Sequence, residues 1–232
     1  MRLRFHRSLD DLNEKLLVMA GMAEQSIQRA VEAYRVRDLS ICDLVDRGEV
    51  AINRIEREID QMALDLLAME QPMAIDLRFT LAVIKINADL ERVGDSARSI
   101  SDRVRDMQRL PQVEVPVDIP KMGSLATDMV RKSIQSFIEA DADMAEAVLT
   151  MDDSVDKLNS SAHTTVLVMM KEKPEYAAQA LHVLMISRAL ERVADHATNV
   201  AEDVIFWVRG ADVRHHVREA DGADAQSSMP AN

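Results

Sequence analysis

The chain has few of the residues that support disulfides, β-sheets or membrane spans. Of its 232 residues one is cysteine, six are glycine and 3% are aromatic. A single cysteine excludes an internal disulfide and fits a reducing compartment. The scarcity of aromatics disfavours a sheet, because strands are enriched in aromatic and β-branched residues. No run of about 18 apolar residues occurs, so we expect no membrane insertion.

The overall charge and the apolar content indicate an acidic helical protein. Apolar residues make up 47% of the chain, which is enough for a hydrophobic core. The formal net charge of −12 argues against nucleic acid as the main partner. No apolar run follows the first six residues, so we expect no signal peptide and a cytoplasmic protein.

A six-residue sequence that occurs twice defines the organisation of the chain. Residues 90–95 read Leu-Glu-Arg-Val-Gly-Asp, and residues 190–195 repeat them with alanine in place of glycine. The apolar positions between Met19 and Tyr34 recur between Met122 and Phe137. Apolar residues spaced three and four apart are typical of amphipathic helices. The sequence therefore predicts a tandem repeat of a three-helix unit.

We expect an all-α fold of six helices in two tandem three-helix bundles. The first repeat spans residues 1–108 and the second spans residues 121–209. The segment between them, 109–120, contains three prolines, which indicates an extended linker. Residues 210–232 are rich in Ala, Asp, Gly and Ser, so we predict a disordered tail.

Acidic side chains line one face of the helices that flank each proline turn. Residues four apart are neighbours on a helix, so Glu91 lies beside Asp95 in the repeated sequence. Glu49 and Asp95 are equally far from Pro72 along the chain, and should reach the same height on antiparallel helices. The predicted metal ligands from both repeats are Glu49, Glu91, Asp95, Asp152, Asp156, Glu191, Asp195 and Asn199.

Such a patch of carboxylates can bind a divalent or trivalent cation through oxygen. Iron, zinc, manganese and magnesium all stay open as the metal. The second repeat should hold the stronger site, because the first has Asn53 where the second has Asp156. The alternative interpretation is that Arg92, Arg192 and their neighbours pair with the acids and that no metal binds.

The chain lacks the motifs of the common enzyme classes, and we predict that it is not an enzyme. Ferritin-type di-iron sites need Glu-x-x-His pairs, and none of the six histidines follows a glutamate at that spacing. No glycine-rich phosphate loop and no Gly-x-Ser-x-Gly sequence occurs. Cys42 has no evident base, and His196 is interpreted as a rim or core histidine.

The two repeats, their doubled Glu-Arg-Val-(Gly/Ala)-Asp sequence and the first proline turn resemble the PhoU family. That turn reads Gln71-Pro72-x-Ala74-x-Asp76-Leu77-Arg78. The resemblance covers residues 5–209. It implies a regulatory adaptor that binds the ATPase subunit of the phosphate-specific ABC transporter and a membrane sensor histidine kinase. When phosphate is plentiful, such an adaptor keeps the kinase from activating phosphate-starvation genes.

The resemblance also implies multinuclear metal clusters held by Glu/Asp-x-x-x-Asp pairs, and favours a homodimer. The chain departs from the family pattern at Asn53, where a second acid is expected. Two other functions stay open: a metal-storage or metal-dependent protein built on the same bundle, and a structural coiled-coil scaffold. The proline turns and the doubled acidic stripe weigh against the scaffold.

Overall fold

The computed structural model describes residues 2–70 and 72–210, with side chains over 6–69 and 72–210. These ranges form helices and no strand, which confirms the predicted all-α fold of two three-helix repeats. The predicted tail, apart from Gly210, lies outside the described residues. The helices are α1 (Arg2–Val36), α2 (Leu39–Glu70), α3 (Ile75–Met107), α4 (Ile119–Glu139), α5 (Ala142–Glu172) and α6 (Ala177–Arg209), with a 3-10 turn at Pro174–Tyr176.

The first chain reversal of each repeat contains a non-glycine residue with a positive φ angle. Arg37 between α1 and α2 has φ 55°, and Ala140 between α4 and α5 has φ 51°. Both lie in the left-handed region, which costs a non-glycine residue about 1 kcal/mol. After each reversal an aspartate caps the next helix: Asp38 Oδ1 accepts from the amide of Ser40, and Asp141 Oδ1 accepts from the amide of Met144 at 2.9 Å.

The linker is shorter than 109–120, because α4 begins at Ile119. Asp118 caps this helix by accepting a hydrogen bond from the amide of Lys121 at 3.1 Å. Pro120 lies in the first turn, where the missing N–H has no helical partner to lose. The buried side chain of Val115 fixes the linker against the core.

Each helix buries one apolar face and exposes a polar one. On α1 the residues Leu12, Leu16, Met19 and Ala23 are fully buried, at the spacing of three and four that the sequence predicted. None of the described helices combines the length and the apolar character needed to cross a bilayer.

The two repeats pack against each other through α3 and α6, which run antiparallel and make the most extensive contact between helices. Lys85 Nζ on α3 donates to Asp203 Oδ1 on α6 at 2.8 Å. Nearer the start of α3, Arg78 Nε donates to the carbonyl of Trp207 at 3.2 Å. On the other side of this central pair, α2 packs against α3 and α5 packs against α6.

Candidate functional site

The second repeat brings its four predicted acids together. Asp152 and Asp156 come from α5, and Glu191 and Asp195 come from α6. Burial raises the pKa of Asp152 to about 6, with further contributions from the negative charges of Asp156, Asp195 and Glu191. Burial and neighbouring acids also raise the pKa of Glu191 and of Asp195. These acids therefore lie within electrostatic reach of one another in this repeat, and their role as metal ligands stays a prediction.

The patch is short of positive charge and of hydrogen-bond donors. Oδ1 of Asp152 is buried and has no hydrogen-bond partner among the described residues. Arg188 and Arg192 lower the pKa of Glu191, but their effect is smaller than that of burial and of the neighbouring acids. An oxygen that is withdrawn from water and surrounded by like charges is stabilised by a cation.

The carboxylates form an open patch on the surface. Within the described part of the chain, no three side chains of His, Cys, Asp or Glu converge into a group that could hold a metal ion. Metal binding would therefore need rotation of acidic side chains toward a common point, or water molecules as additional ligands. Oxygen ligands and open coordination suit hard cations such as Mg²⁺ and Mn²⁺ better than they suit a closed zinc site.

Asn199 lies outside this patch. Its Nδ2 donates to Oδ1 of Asp89 on α3 at 3.2 Å, and Nδ1 of His196 contacts the same oxygen at 2.9 Å. A step of four residues overshoots a full helical turn by about 40°. Two such steps from Glu191 carry Asn199 round the helix toward α3. Asn199 therefore connects the two repeats.

In the first repeat the acid at the corresponding position, Glu49, is paired with residues of the chain itself. Glu49 is only 6% exposed, and its Oε1 accepts hydrogen bonds from Nη1 of Arg98 at 3.0 Å and from Nδ2 of Asn53 at 2.8 Å. The ion pair with Glu49 raises the pKa of Arg98. Glu49 is thus already satisfied within the chain.

The pairing of Glu49 with Arg98 depends on the reach of the arginine side chain, because the two repeats have the same register. Asn87 Nδ2 donates to the carbonyl of Glu56 at 3.1 Å, and the residues at the equivalent positions of the second repeat, Ser187 and Asn159, are hydrogen-bonded at 2.8 Å. Symmetry about Pro72 predicts Asp95 opposite Glu49, and Arg98 lies three residues beyond Asp95 on α3.

Glu56 and Arg98 are residues of this patch that the sequence-based list omits. Burial raises the pKa of Glu91, followed in effect by Asp95 and then by Glu56, whereas Glu49 contributes least. Glu56 lies seven residues after Glu49, two turns along the same helix face, so the helical period could have identified it. Nothing local to Arg98 identifies Glu49 as its partner.

Comparisons with known proteins cover both repeats. The family described as PhoU domain matches residues 16–104 and 119–204. A Pseudomonas aeruginosa protein named phosphate-specific transport system accessory protein PhoU homolog is 36% identical over 215 residues, 91% of this chain and 88% of that protein. A Clostridium acetobutylicum protein of the same name is 31% identical over 210 residues, 90% of this chain and 96% of that protein.

Two solved structures resemble the fold closely. The crystal structure of PhoU from Pseudomonas aeruginosa superposes with a TM-score of 0.86 at 34% identity, over 89% of this chain and all of that one. The phosphate transport system regulatory protein PhoU from Streptococcus pneumoniae superposes with a TM-score of 0.83 at 25% identity, over 90% of this chain and 99% of that one.

Proposed function

Because the chain belongs to the PhoU family, we propose that it is a regulatory adaptor of phosphate homeostasis, which restrains phosphate-starvation signalling when phosphate is plentiful. The observation that carries this proposal is the match of both repeats, at 36% identity, to a protein named for its accessory role in phosphate-specific transport. The adaptor acts by binding and has no catalytic step.

We assign two binding partners in the cytoplasm. One is the ATPase subunit of the phosphate-specific ABC transporter, and the other is a membrane sensor histidine kinase. Binding lets the adaptor pass the state of the transporter to the kinase. The adaptor reaches both partners without inserting into the membrane, and works as a homodimer.

Deletion of the gene tests this regulation. In phosphate-rich medium a phosphate-starvation reporter should be silent in the wild type, active in the deletion strain and silent again after complementation. A reporter that stays silent in the deletion strain would contradict the regulatory proposal. Co-purification of the chain with the ATPase subunit and with the kinase then tests each partner separately, and analytical ultracentrifugation tests the dimer.

Metal binding at the second repeat is the second part of the proposal. It is supported by the unpartnered buried oxygen of Asp152 within the described chain, and by the raised pKa of Asp152, Glu191 and Asp195. Iron, zinc, manganese and magnesium are the candidate ions. The corresponding test is metal analysis of the purified chain and of its Glu191→Gln/Asp195→Asn variant. Equal metal content in the two would remove this part and leave the adaptor function untouched.

A metal-storage role is the alternative function. It predicts many ions per chain, and their release should leave the phosphate-starvation reporter unchanged. The adaptor proposal predicts at most a small, fixed stoichiometry, because the acids form one patch per repeat.

A further inference from the structure

The carboxylate of Glu49 is surrounded by donors that come from the chain itself. Arg98 supplies a full positive charge at 3.0 Å, and Asn53 supplies an amide at 2.8 Å to the same oxygen. Glu49 is almost completely buried, so a cation from solvent must first displace the guanidinium. A guanidinium close to the acids also repels an approaching metal ion.

The corresponding positions of the second repeat provide neither group. Thr198 stands where the first repeat has Arg98, and its Oγ1 donates to the carbonyl of Asp195 within its own helix at 2.7 Å. Asp156 stands where the first repeat has Asn53. One positive charge is therefore absent and one negative charge is added, and the acids of this repeat lack compensation.

A second arginine repeats the arrangement further along α3. Arg105 Nη2 donates to Asp46 Oδ2 at 2.7 Å and to Asp43 Oδ1 at 3.0 Å. In the second repeat this position is Ile205, which is fully buried. The acids of α2 thus meet arginines of α3 at two heights, whereas α6 has a threonine and an isoleucine at the corresponding positions.

We infer that the first repeat carries its own cation: the guanidinium of Arg98 occupies the place of a metal ion and keeps Glu49, Glu91 and Asp95 free of metal. This inference rests on the metal-binding part of the proposed function. It narrows the sequence-based expectation of two sites, with the second the stronger, to a single site in the second repeat. The two halves of the adaptor then respond differently to a change in metal concentration.

The test transplants the residues of the second repeat into the first. The full chain with Glu191→Gln/Asp195→Asn, which silences the second repeat, serves as the background. Into it go Asn53→Asp/Arg98→Thr, or the matched control Asn53→Asp/Arg54→Thr, which removes an exposed arginine that lies 3.8 Å from Glu58. Mn²⁺ binding is followed by the loss of the free-ion electron paramagnetic resonance signal, and circular dichroism checks the fold.

We expect the background and the control to leave the free-ion Mn²⁺ signal unchanged. The Asn53→Asp/Arg98→Thr chain should bind Mn²⁺ at least about tenfold more tightly than either of them. Metal binding by the background that disappears with Glu49→Gln/Glu91→Gln would overturn the inference. Failure of the Asn53→Asp/Arg98→Thr chain to bind would overturn the role of Arg98. Failure of the unmodified chain to bind Mn²⁺ would count against the second-repeat site of the proposed function. Mn²⁺ binding by the Asn53→Asp/Arg98→Thr chain would still support the role of Arg98, so the two failures can be told apart.

Discussion

In the first repeat the acidic face of α2 meets arginines from α3, whereas in the second repeat the acidic face of α5 meets further acids from α6. Glu49 is paired with Arg98 at 3.0 Å, but Oδ1 of its counterpart Asp152 is buried with no hydrogen-bond partner in the described ranges. The repeated Glu-Arg-Val-(Gly/Ala)-Asp sequence is nearly the same in both. The difference therefore lies in the residues outside the motif, and a doubled motif does not imply a doubled function.

The two ends of the α3–α6 pair differ in a similar way. At one end Phe79, Phe137 and Trp207 form an aromatic cluster with ring centroids 5.1–5.6 Å apart. At the other end the position of Phe79 is taken by the buried Gln179. With its amide oriented to satisfy both neighbours, Gln179 donates to the carbonyl of Pro111 at 2.7 Å and accepts from Arg37 at 2.8 Å. One end is held by apolar packing and the other by hydrogen bonds to the linker and the first turn.

The largest effect should come from the aromatic end. Phe137→Ala removes a side chain that is 2% exposed and leaves a cavity between the other two rings. We expect the free energy of unfolding to fall by about 3–5 kcal/mol, measured by urea denaturation. Gln179→Ala should cost about 1–2 kcal/mol, because it removes two hydrogen bonds but little packing. Ile138→Ala, at a position 51% exposed, is the control. A larger loss from Gln179→Ala than from Phe137→Ala would reverse the comparison.

The next effect concerns the ion pair of the first repeat. Arg98→Gln leaves the nearly buried Glu49 with the amide of Asn53 as its remaining partner. The loss should be about 1–2 kcal/mol, which is modest for a buried carboxylate because Arg98 is itself 51% exposed. Thermal denaturation at neutral pH measures it against Arg54→Gln, which should be nearly neutral. Equal melting temperatures of the two variants would mean that Arg98 contributes nothing to folding.

The second repeat should reveal its uncompensated acids through the pH dependence of stability. The pKa of Asp152 is raised from its ordinary 3.8 to about 6, so the folded chain binds this proton more tightly than the unfolded chain does. Its contribution to stability is therefore present below a pH of about 4 and is lost as pH rises through about 6. Asp152→Asn lacks this titration, and should melt a few degrees above the wild type at about pH 8 and level with it at about pH 4 in the presence of a chelator.

The control for this titration is Asp153→Asn, because Asp153 is adjacent in sequence and its side chain is 80% exposed. Asp153 contributes least of the neighbouring acids to the raised pKa of Asp152, so the melting temperature of Asp153→Asn should stay much closer to that of the wild type than that of Asp152→Asn does. An advantage of Asp152→Asn that is constant with pH would show that the effect does not come from protonation of Asp152.

The fold and the acid patch of the second repeat were predictable because local patterns determine them. Helical periodicity identifies the buried face of α1, and the spacing of four residues places Glu191 beside Asp195. The partners of Glu49 and of Asp89 were not predictable in the same way. Arg98 lies three residues beyond Asp95, the position that symmetry about Pro72 places opposite Glu49, and reaches Glu49 through its long side chain. Asp89 meets His196 across the contact between repeats, which no periodicity within one repeat reveals.

We expect the smallest effect at an apolar contact between the second and third helices, where the two repeats have side chains of different size. In the first repeat Gly94 faces Ile52, and a Cβ added to Gly94 would lie 3.0 Å from Ile52 Cδ1. In the second repeat the equivalent positions are Ala194, which is larger than the glycine, and Val155, which is smaller than the isoleucine, and both are fully buried.

Gly94→Ala should therefore change the free energy of unfolding by less than about 1 kcal/mol, because the gain in helix propensity is opposed by the crowding of Ile52. Ile52→Val alone should cost about 0.5–1.5 kcal/mol through the methyl group it removes.

Together the two changes reproduce the pair of the second repeat, since the methyl group added at position 94 fills the space that the shortened side chain at position 52 vacates. A double-mutant cycle by urea denaturation should give a favourable coupling of about 0.5 kcal/mol or more. Strict additivity would mean that the two helices adjust their spacing independently of these side chains, and that the glycine-to-alanine difference between the repeats has no structural consequence at this contact.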